Sequence, residues 1–128
     1  MKSVFTNIDC VSFHVDSLDE GIAFYRDSLG LRLLWRTEDS CGLGMDEDIS
    51  ELVLTTRDIP IAQFKVDSVD AVLPVFIAAG AVVDYGPFDI DIGRCAVIRD
   101  LFGNRYCILD MTNGKYATDE NGNVTGVK

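Results

Sequence analysis

Long apolar runs are missing from the sequence. No stretch approaches the roughly 18 consecutive apolar residues that a membrane-spanning helix needs. The first nine residues also lack the apolar centre of a signal peptide, so we expect a cytoplasmic protein. The four cysteines, at positions 10, 41, 95 and 107, form no Cys-x-x-Cys pair. In the cytoplasm they are expected to remain free thiols.

Positive charge is also scarce. Eleven Lys and Arg residues stand against 21 Asp and Glu residues, which gives a formal net charge of −10. A field of this sign repels the phosphates of nucleic acids and of anionic membranes, so we expect neither as a partner. A neutral or cationic small molecule is compatible with the charge.

The sequence does contain a repeated segment. Residues 15–19, Val-Asp-Ser-Leu-Asp, return at 66–70 as Val-Asp-Ser-Val-Asp, an offset of 66 − 15 = 51 residues. At the same offset Phe13 falls on Phe64 and Tyr25 falls on Phe76. A repeat at this period indicates one supersecondary unit used twice. With 128 residues and a hydrophobic fraction of 48%, we expect a single domain, 1–128, with pseudo-twofold symmetry.

Each copy begins with strand-like alternation and continues with helical spacing. Residues 9–15 alternate between apolar and more polar side chains, and Ser17 begins a capping box for a helix that ends at Gly30. A second helix is predicted over 68–79, with a kink or a late start caused by Pro74. Further strands are predicted at 31–36, 41–45, 51–55, 61–66, 81–84, 94–99 and 105–110, with turns at Gly86-Pro87 and 100–104.

The order strand, helix, strand, strand, strand therefore occurs twice, at 8–56 and at 60–112. We predict an α+β fold made of two such βαβββ units. The residues that alternate with the more polar set should pack beneath the helices; these are Val11, Phe13, Leu52, Leu54, Phe64, Val66 and Ile108. In the tail, 113–128, Asn121-Gly122 predicts a hairpin between Thr118 and Val124.

Three segments of the sequence are the most useful for comparison with known families. They are Val-Ser-Phe-His-Val-Asp-Ser-Leu at 11–18, Ala-Phe-Tyr-Arg-Asp-Ser-Leu-Gly-Leu at 23–31 and Asp-Leu-Phe-Gly-Asn-Arg at 100–105. With them, the duplicated unit resembles the vicinal oxygen chelate superfamily, which includes glyoxalase I, bleomycin-resistance proteins and extradiol dioxygenases. The resemblance covers roughly residues 8–112. It implies a cup-shaped mixed sheet with a metal site on the cup floor. It also implies a homodimer, because relatives close their sheet edges and cup mouth by pairing.

The metal ligands of that family come from the first and fourth strands of each unit. Carried over by position, they fall on Cys10, Glu51, Ile61 and Cys107. Only Glu51 keeps the family's chemistry, because isoleucine cannot bind a metal and thiols are soft donors. We therefore predict no metal cofactor. The alternative is a soft metal or an arsenical bound by Cys10, Cys107 and Glu51.

Two residues are candidates for proton transfer, Glu51 and His14, which the alternation places on the cup side. A carboxylate in a partly apolar cup would have a raised pKa and could act as a general base or bind a cationic group. Alternatively, Glu51 only pairs with Lys65, Arg105 or solvent. The candidate ligand-binding residues are Ser12, Gln63, Lys65, Arg105, Cys10 and Cys107.

Two functional classes follow from the resemblance. The first is a protein of the bleomycin-resistance kind, which binds a small molecule in the cup without the family's divalent metal. The second is a lyase or isomerase similar to lactoylglutathione lyase, with an unusual metal set or with Glu51 and His14 alone. The missing ligands and the acidic charge favour the first class.

Overall fold

An eight-stranded mixed sheet dominates the computed structural model, which describes residues 2–128. Its strands are β1 (Asn7–His14), β2 (Arg32–Arg36), β3 (Ser40–Gly44), β4 (Glu51–Thr55), β5 (Ala62–Lys65), β6 (Val82–Ile90), β7 (Gly93–Arg99) and β8 (Arg105–Leu109). The helices are α1 (Leu18–Ile22) and α2 (Val69–Ala78), and a two-stranded tail consists of β9 (Tyr116–Thr118) and β10 (Val124–Val127).

The strand order is β2-β3-β4-β1-β5-β8-β7-β6, so each predicted unit contributes four neighbouring strands. The first strand of each unit pairs in parallel with the fourth, β1 with β4 and β5 with β8. The two units join through the antiparallel pair β1 and β5, within one chain. The prediction of two βαβββ units in one mixed sheet is confirmed.

The first helix begins as the sequence predicts. The Ser17 hydroxyl accepts a hydrogen bond from the Glu20 amide at 3.3 Å and so caps α1. Past Ile22 the chain continues as a π-helical segment, Ala23–Ser28, which the spacing of apolar residues does not reveal. Gly30, at a φ of +84°, then ends the helical stretch, because such a backbone angle suits glycine.

The second helix runs through Pro74 from Val69 to Ala78, so the predicted late start is wrong. Its first turn has two polar partners that offset the proline. The Ser68 hydroxyl accepts from the Ala71 amide at 3.2 Å, and the Asp110 carboxylate accepts from the Val69 amide at 2.8 Å. Among residues 2–128, no helix is long and apolar enough to cross a membrane.

Strand β6 departs from the prediction, because Gly86-Pro87 lies inside the strand and does not end it. The Gly86-Pro87 peptide is cis, and the pairing of β6 with β7 shifts register just before it and again across it. β6 is the last strand of the sheet, and an edge strand tolerates proline because its outer N–H groups need no partner strand.

The helices cover the outer, convex face of the sheet, each over its own unit. Leu54 lies in the apolar cluster with α1, whereas Val66 and Ile108 lie in the cluster with α2; all three are fully buried. Val11 and Phe13 were expected beneath the helices as well, but they are 37% and 40% exposed. That expectation is wrong because β1 lies at the middle of the sheet, between the two helices.

Candidate ligand-binding site

A row of four side chains crosses the centre of the concave face. Cys10 in β1 is the backbone partner of Glu51 in β4 and of Gln63 in β5, and Gln63 is the partner of Cys107 in β8. Paired residues on neighbouring strands point to the same face of a sheet. Ile61 lies before β5, is 62% exposed and is outside the row, so Gln63 takes the place that the resemblance gave to Ile61.

Glu51 is held in place by the indole of Trp35. Trp35 Nε1 donates a hydrogen bond to Glu51 Oε1 at 2.6 Å. Gly42 in β3 makes the approach possible, since a Cβ at this position would overlap both side chains. Burial raises the pKa of Glu51, the Trp35 hydrogen bond opposes that rise and the negative charge of Asp9 adds to it. The site thus contains an oriented carboxyl group with an elevated affinity for a proton.

Asp9 is a site residue that sequence reasoning missed. Strict alternation places it on the face opposite to Cys10, but the register of β1 against β5 shifts between Ile8 and Cys10. Its carboxyl group lies close enough to Glu51 for their charges to interact. Burial raises the pKa of Asp9, while a hydrogen bond with Cys10 and the charge of Lys65 oppose the rise. The positive charge of Lys65 therefore acts on Asp9.

The predicted polar residues between the carboxyls and the second unit are hydrogen-bonded to each other. The Gln63 amide donates to Ser12 Oγ at 2.8 Å, and Cys10 Sγ lies 3.8 Å from the same oxygen. Ser12 is only 2% exposed, so these bonds satisfy a buried hydroxyl group. The polar groups of this part of the floor thus already have partners within the protein.

Three buried thiols lie on the concave side: Cys10, Cys95 and Cys107. Burial raises the pKa of Cys10. A hydrogen bond between Cys95 and Cys107 raises the pKa of Cys95 and lowers that of Cys107, so Cys107 is the more readily ionised of that pair. All four cysteines are free, as expected.

Two predicted site residues lie away from the row. His14 pairs with Thr55 at the end of β1, about 13 Å along the strand from Cys10. Its side chain is 57% exposed, with Nδ1 4.0 Å from Asp16 Oδ1. Arg105 Nε donates to Asp84 Oδ2 at 2.6 Å. The structure therefore does not bring either residue into contact with Glu51.

The tail crosses the cup. At one side of the sheet, the Asn113 amide donates to the Ile92 carbonyl group in the β6–β7 turn at 2.9 Å. At the opposite side, the Arg36 amide of β2 donates to the Gly122 carbonyl group at 2.8 Å. Between these points the Tyr116 ring packs on Trp35, with 5.1 Å between centroids. Strands β9 and β10 pair antiparallel, with Val124 opposite Thr118.

The residues at the family's metal positions do not fit a catalytic divalent ion. Such an ion needs about three histidine or carboxylate ligands, whereas the row offers two thiols, an amide and one carboxylate. Within the described part of the chain, no three His, Cys, Asp or Glu side chains are arranged to hold a metal ion. The set Cys10, Cys107 and Glu51, which the sequence suggested for a soft metal, is therefore not arranged to hold one.

The model of the Glyoxalase/Bleomycin resistance protein/Dioxygenase superfamily matches residues 7–108. The chain belongs to this superfamily. A comparison with curated proteins found no significant match.

Solved structures share the fold at low identity. Methylmalonyl-CoA epimerase from Mycobacterium tuberculosis is similar with a TM-score of 0.69 at 18% identity, over 86% of this chain and 91% of the epimerase. Homoprotocatechuate 2,3-dioxygenase from Brevibacterium fuscum gives 0.62 at 23% identity over 84% of this chain. The match spans only 33% of that dioxygenase chain. An uncharacterised protein from Methanosarcina mazei gives 0.61 at 19% identity.

Proposed function

We propose that the protein binds a small organic cation in its cup, with Glu51 as the anchoring group and without the divalent metal of the family. The observation that supports this proposal is that Glu51 has no cationic partner in the described structure. One oxygen accepts from the neutral Trp35 indole, and no Lys or Arg among residues 2–128 forms an ion pair with the carboxyl group. A partly buried carboxylate without a cationic partner is stabilised when it binds a cationic ligand group or a proton.

The charge of the whole chain supports the same class of ligand. A net charge of −10 attracts cations and repels anions. Ser12, Gln63, Cys10 and Cys107 would form the floor beneath the ligand, and Lys65 would limit the negative charge by its action on Asp9. We place this activity in the cytoplasm, where the four free thiols stay reduced.

A lyase or isomerase of the glyoxalase type is the second candidate. It is favoured by the two neighbouring carboxyls, Asp9 and Glu51, whose pKa values burial raises toward the range that suits a general acid or base. In this reading Asp9 takes the role of proton-transfer partner that the sequence suggested for His14.

Benzamidine is a suitable probe for the first candidate, with neutral benzamide as its matched control. We expect benzamidine to bind at pH 8 and Glu51→Gln to weaken it roughly tenfold or more, the usual cost of losing a charge-assisted hydrogen bond. Because the pKa of Glu51 is raised, the carboxylate takes up a proton as the pH falls through that value, and affinity should fall with it. The affinity of Glu51→Gln should change less over the same range, because only the neighbouring Asp9 still titrates there. Isothermal titration calorimetry measures both.

Glu47→Gln is the control variant, because it removes one negative charge from the exposed loop just before β4. It should bind benzamidine as the wild type does. Equal binding of benzamide and benzamidine would contradict the proposal. Stoichiometric zinc or nickel in protein purified without a chelator, lost in Glu51→Gln, would favour a metal-dependent enzyme instead.

We also propose that the chain forms a homodimer through the middle of the convex face. Ile8, Val11 and Phe13 leave apolar surface exposed there, and the neighbours of Val11 on both sides, Leu52 and Ala62, are uncharged. Two chains of net charge −10 repel each other, so a second copy would dock where acidic side chains are missing.

Light scattering at micromolar concentration is expected to give twice the 14.1 kDa mass of one chain. Phe13→Asp should shift the particle to one chain, because it puts a charge into the contact. Phe102→Asp, at a 79% exposed position in the β7–β8 turn, should leave the mass unchanged. A wild-type particle of 14.1 kDa would exclude the dimer.

A further inference from the structure

The cup floor is covered, although it faces away from both helices. Cys10 and Ser12 are each 2% exposed and Cys107 is 4% exposed. The concave cluster around Cys95 and Cys107 is packed by Met111, at the start of the segment that leads into the tail. The hairpin then continues across the cup to β2. The tail therefore lies over the floor beside Glu51, which is itself only partly buried.

Tyr116 links this cover to the proposed anchoring group through a single intermediate side chain. Its ring packs on Trp35, and the Trp35 indole donates to Glu51. Desolvation raises the pKa of the Tyr116 phenol, which agrees with a ring enclosed between the tail and the sheet. Displacement of Tyr116 would remove its ring from Trp35 and so alter the environment of the indole that donates to Glu51.

The hairpin is attached more weakly than the strands beneath it. Its two strands have only three and four residues. Backbone hydrogen bonds at its two ends, from Asn113 to Ile92 and from Arg36 to Gly122, join it to opposite sides of the cup. A two-stranded hairpin of this length is marginal on its own, so it can lift while the eight-stranded sheet remains folded.

We propose that the tail hairpin controls access to the cup and that Tyr116 is its specificity-determining residue. With the ring on Trp35, only small molecules pass to Glu51, and larger ones enter when the hairpin lifts. The inference rests on the proposed binding site, but its test requires no ligand. A failure of benzamidine to bind would therefore leave the outcome of this test unaffected.

The native cysteines report on hairpin opening. Cys107 lies on the cup floor, whereas Cys41 is fully buried on the opposite face in the cluster with α1. Opening of the hairpin uncovers the concave face, where Cys107 lies, and leaves Cys41 buried, whereas global unfolding exposes both. The wild type is treated with 5,5′-dithiobis(2-nitrobenzoate), a bulky reagent, or with methyl methanethiosulfonate, a small one. Mass spectrometry of the peptides then gives the labelling rate of each cysteine.

We expect Cys107 to react faster than Cys41 with both reagents. Tyr116→Ala should raise the Cys107 rate with the bulky reagent by roughly tenfold, with a smaller rise for the small reagent, because the lost ring contact favours the open form. The Cys41 rate should not change.

Tyr116→Phe keeps the ring and should restore the wild-type rates. Phe24→Ala removes a half-exposed aromatic ring next to Tyr25 on the helical side and is the control for loss of a ring elsewhere. Equal labelling of Cys107 and Cys41 in the wild type, or a Tyr116→Ala variant with unchanged Cys107 rates, would overturn the inference.

Discussion

Asp110→Ala is expected to lower the free energy of unfolding by about 3 kcal/mol, the range for loss of a buried, hydrogen-bonded charge. Asp110 is 1% exposed and lies directly after β8. Its carboxylate accepts from the Val69 amide at 2.8 Å, from the Arg94 amide at 2.9 Å and from the Thr112 hydroxyl at 3.0 Å. It thus joins the start of α2 to the start of β7. Alanine would leave two backbone amides without partners.

The loss of unfolding free energy in Asp110→Ala should depend on pH. Burial alone would raise the pKa of Asp110, but the hydrogen bonds from Val69, Arg94 and Thr112 outweigh it and hold the pKa below its ordinary value of 3.8. A depressed pKa in the folded state means that the stabilisation is present above the unfolded-state value and is lost as the pH falls through the folded-state value. The difference between wild type and Asp110→Ala should therefore shrink in strong acid.

Urea denaturation followed by circular dichroism measures this difference. Asp89→Ala is the control, because Asp89 pairs with Arg94 near the same strand but has a side chain that is 85% exposed. Asp89→Ala should lower the free energy of unfolding by less than about 0.5 kcal/mol. A loss below about 1 kcal/mol for Asp110→Ala would show that the helix start does not depend on this carboxylate.

The parts of the fold that local chemistry decides could be predicted from the sequence. Ser17 and Ser68 cap the two helices as the repeated segment indicates. The alternation of β1, together with the family resemblance, also brought Cys10, Glu51 and Cys107 to one face. Each of these features depends on residues a few positions apart, or on a repeat that is visible in the sequence.

Features that depend on a partner strand could not be predicted. Asp9 reaches the cup because β1 shifts register against β5, and nothing in residues 7–14 alone reveals that shift. Trp35 meets Glu51 because a different strand, β3, carries Gly42 at the crossing point. Tyr116 comes from a tail outside the repeat. The residues that surround Glu51 are thus set by contacts between distant parts of the chain.

Gly42→Ala is expected to lower the free energy of unfolding by about 1–3 kcal/mol, as overpacking of a filled site does. The added methyl group would overlap Trp35 Nε1 and Glu51 Oε1. The β3 backbone cannot yield easily, because β3 is paired with β2 on one side and β4 on the other. We therefore expect the Trp35 side chain to leave Glu51.

Trp35 is the only tryptophan of the chain, so tryptophan fluorescence reports on the surroundings of this one indole. The emission of Gly42→Ala should shift relative to the wild type, and urea denaturation gives the loss of stability. Gly126→Ala is the matched control, because a Cβ at Gly126 meets no atom within 4 Å in the described structure. It should change neither quantity. Unchanged emission in Gly42→Ala would mean that the indole does not depend on the space above Gly42, and that Glu51 is oriented by other groups.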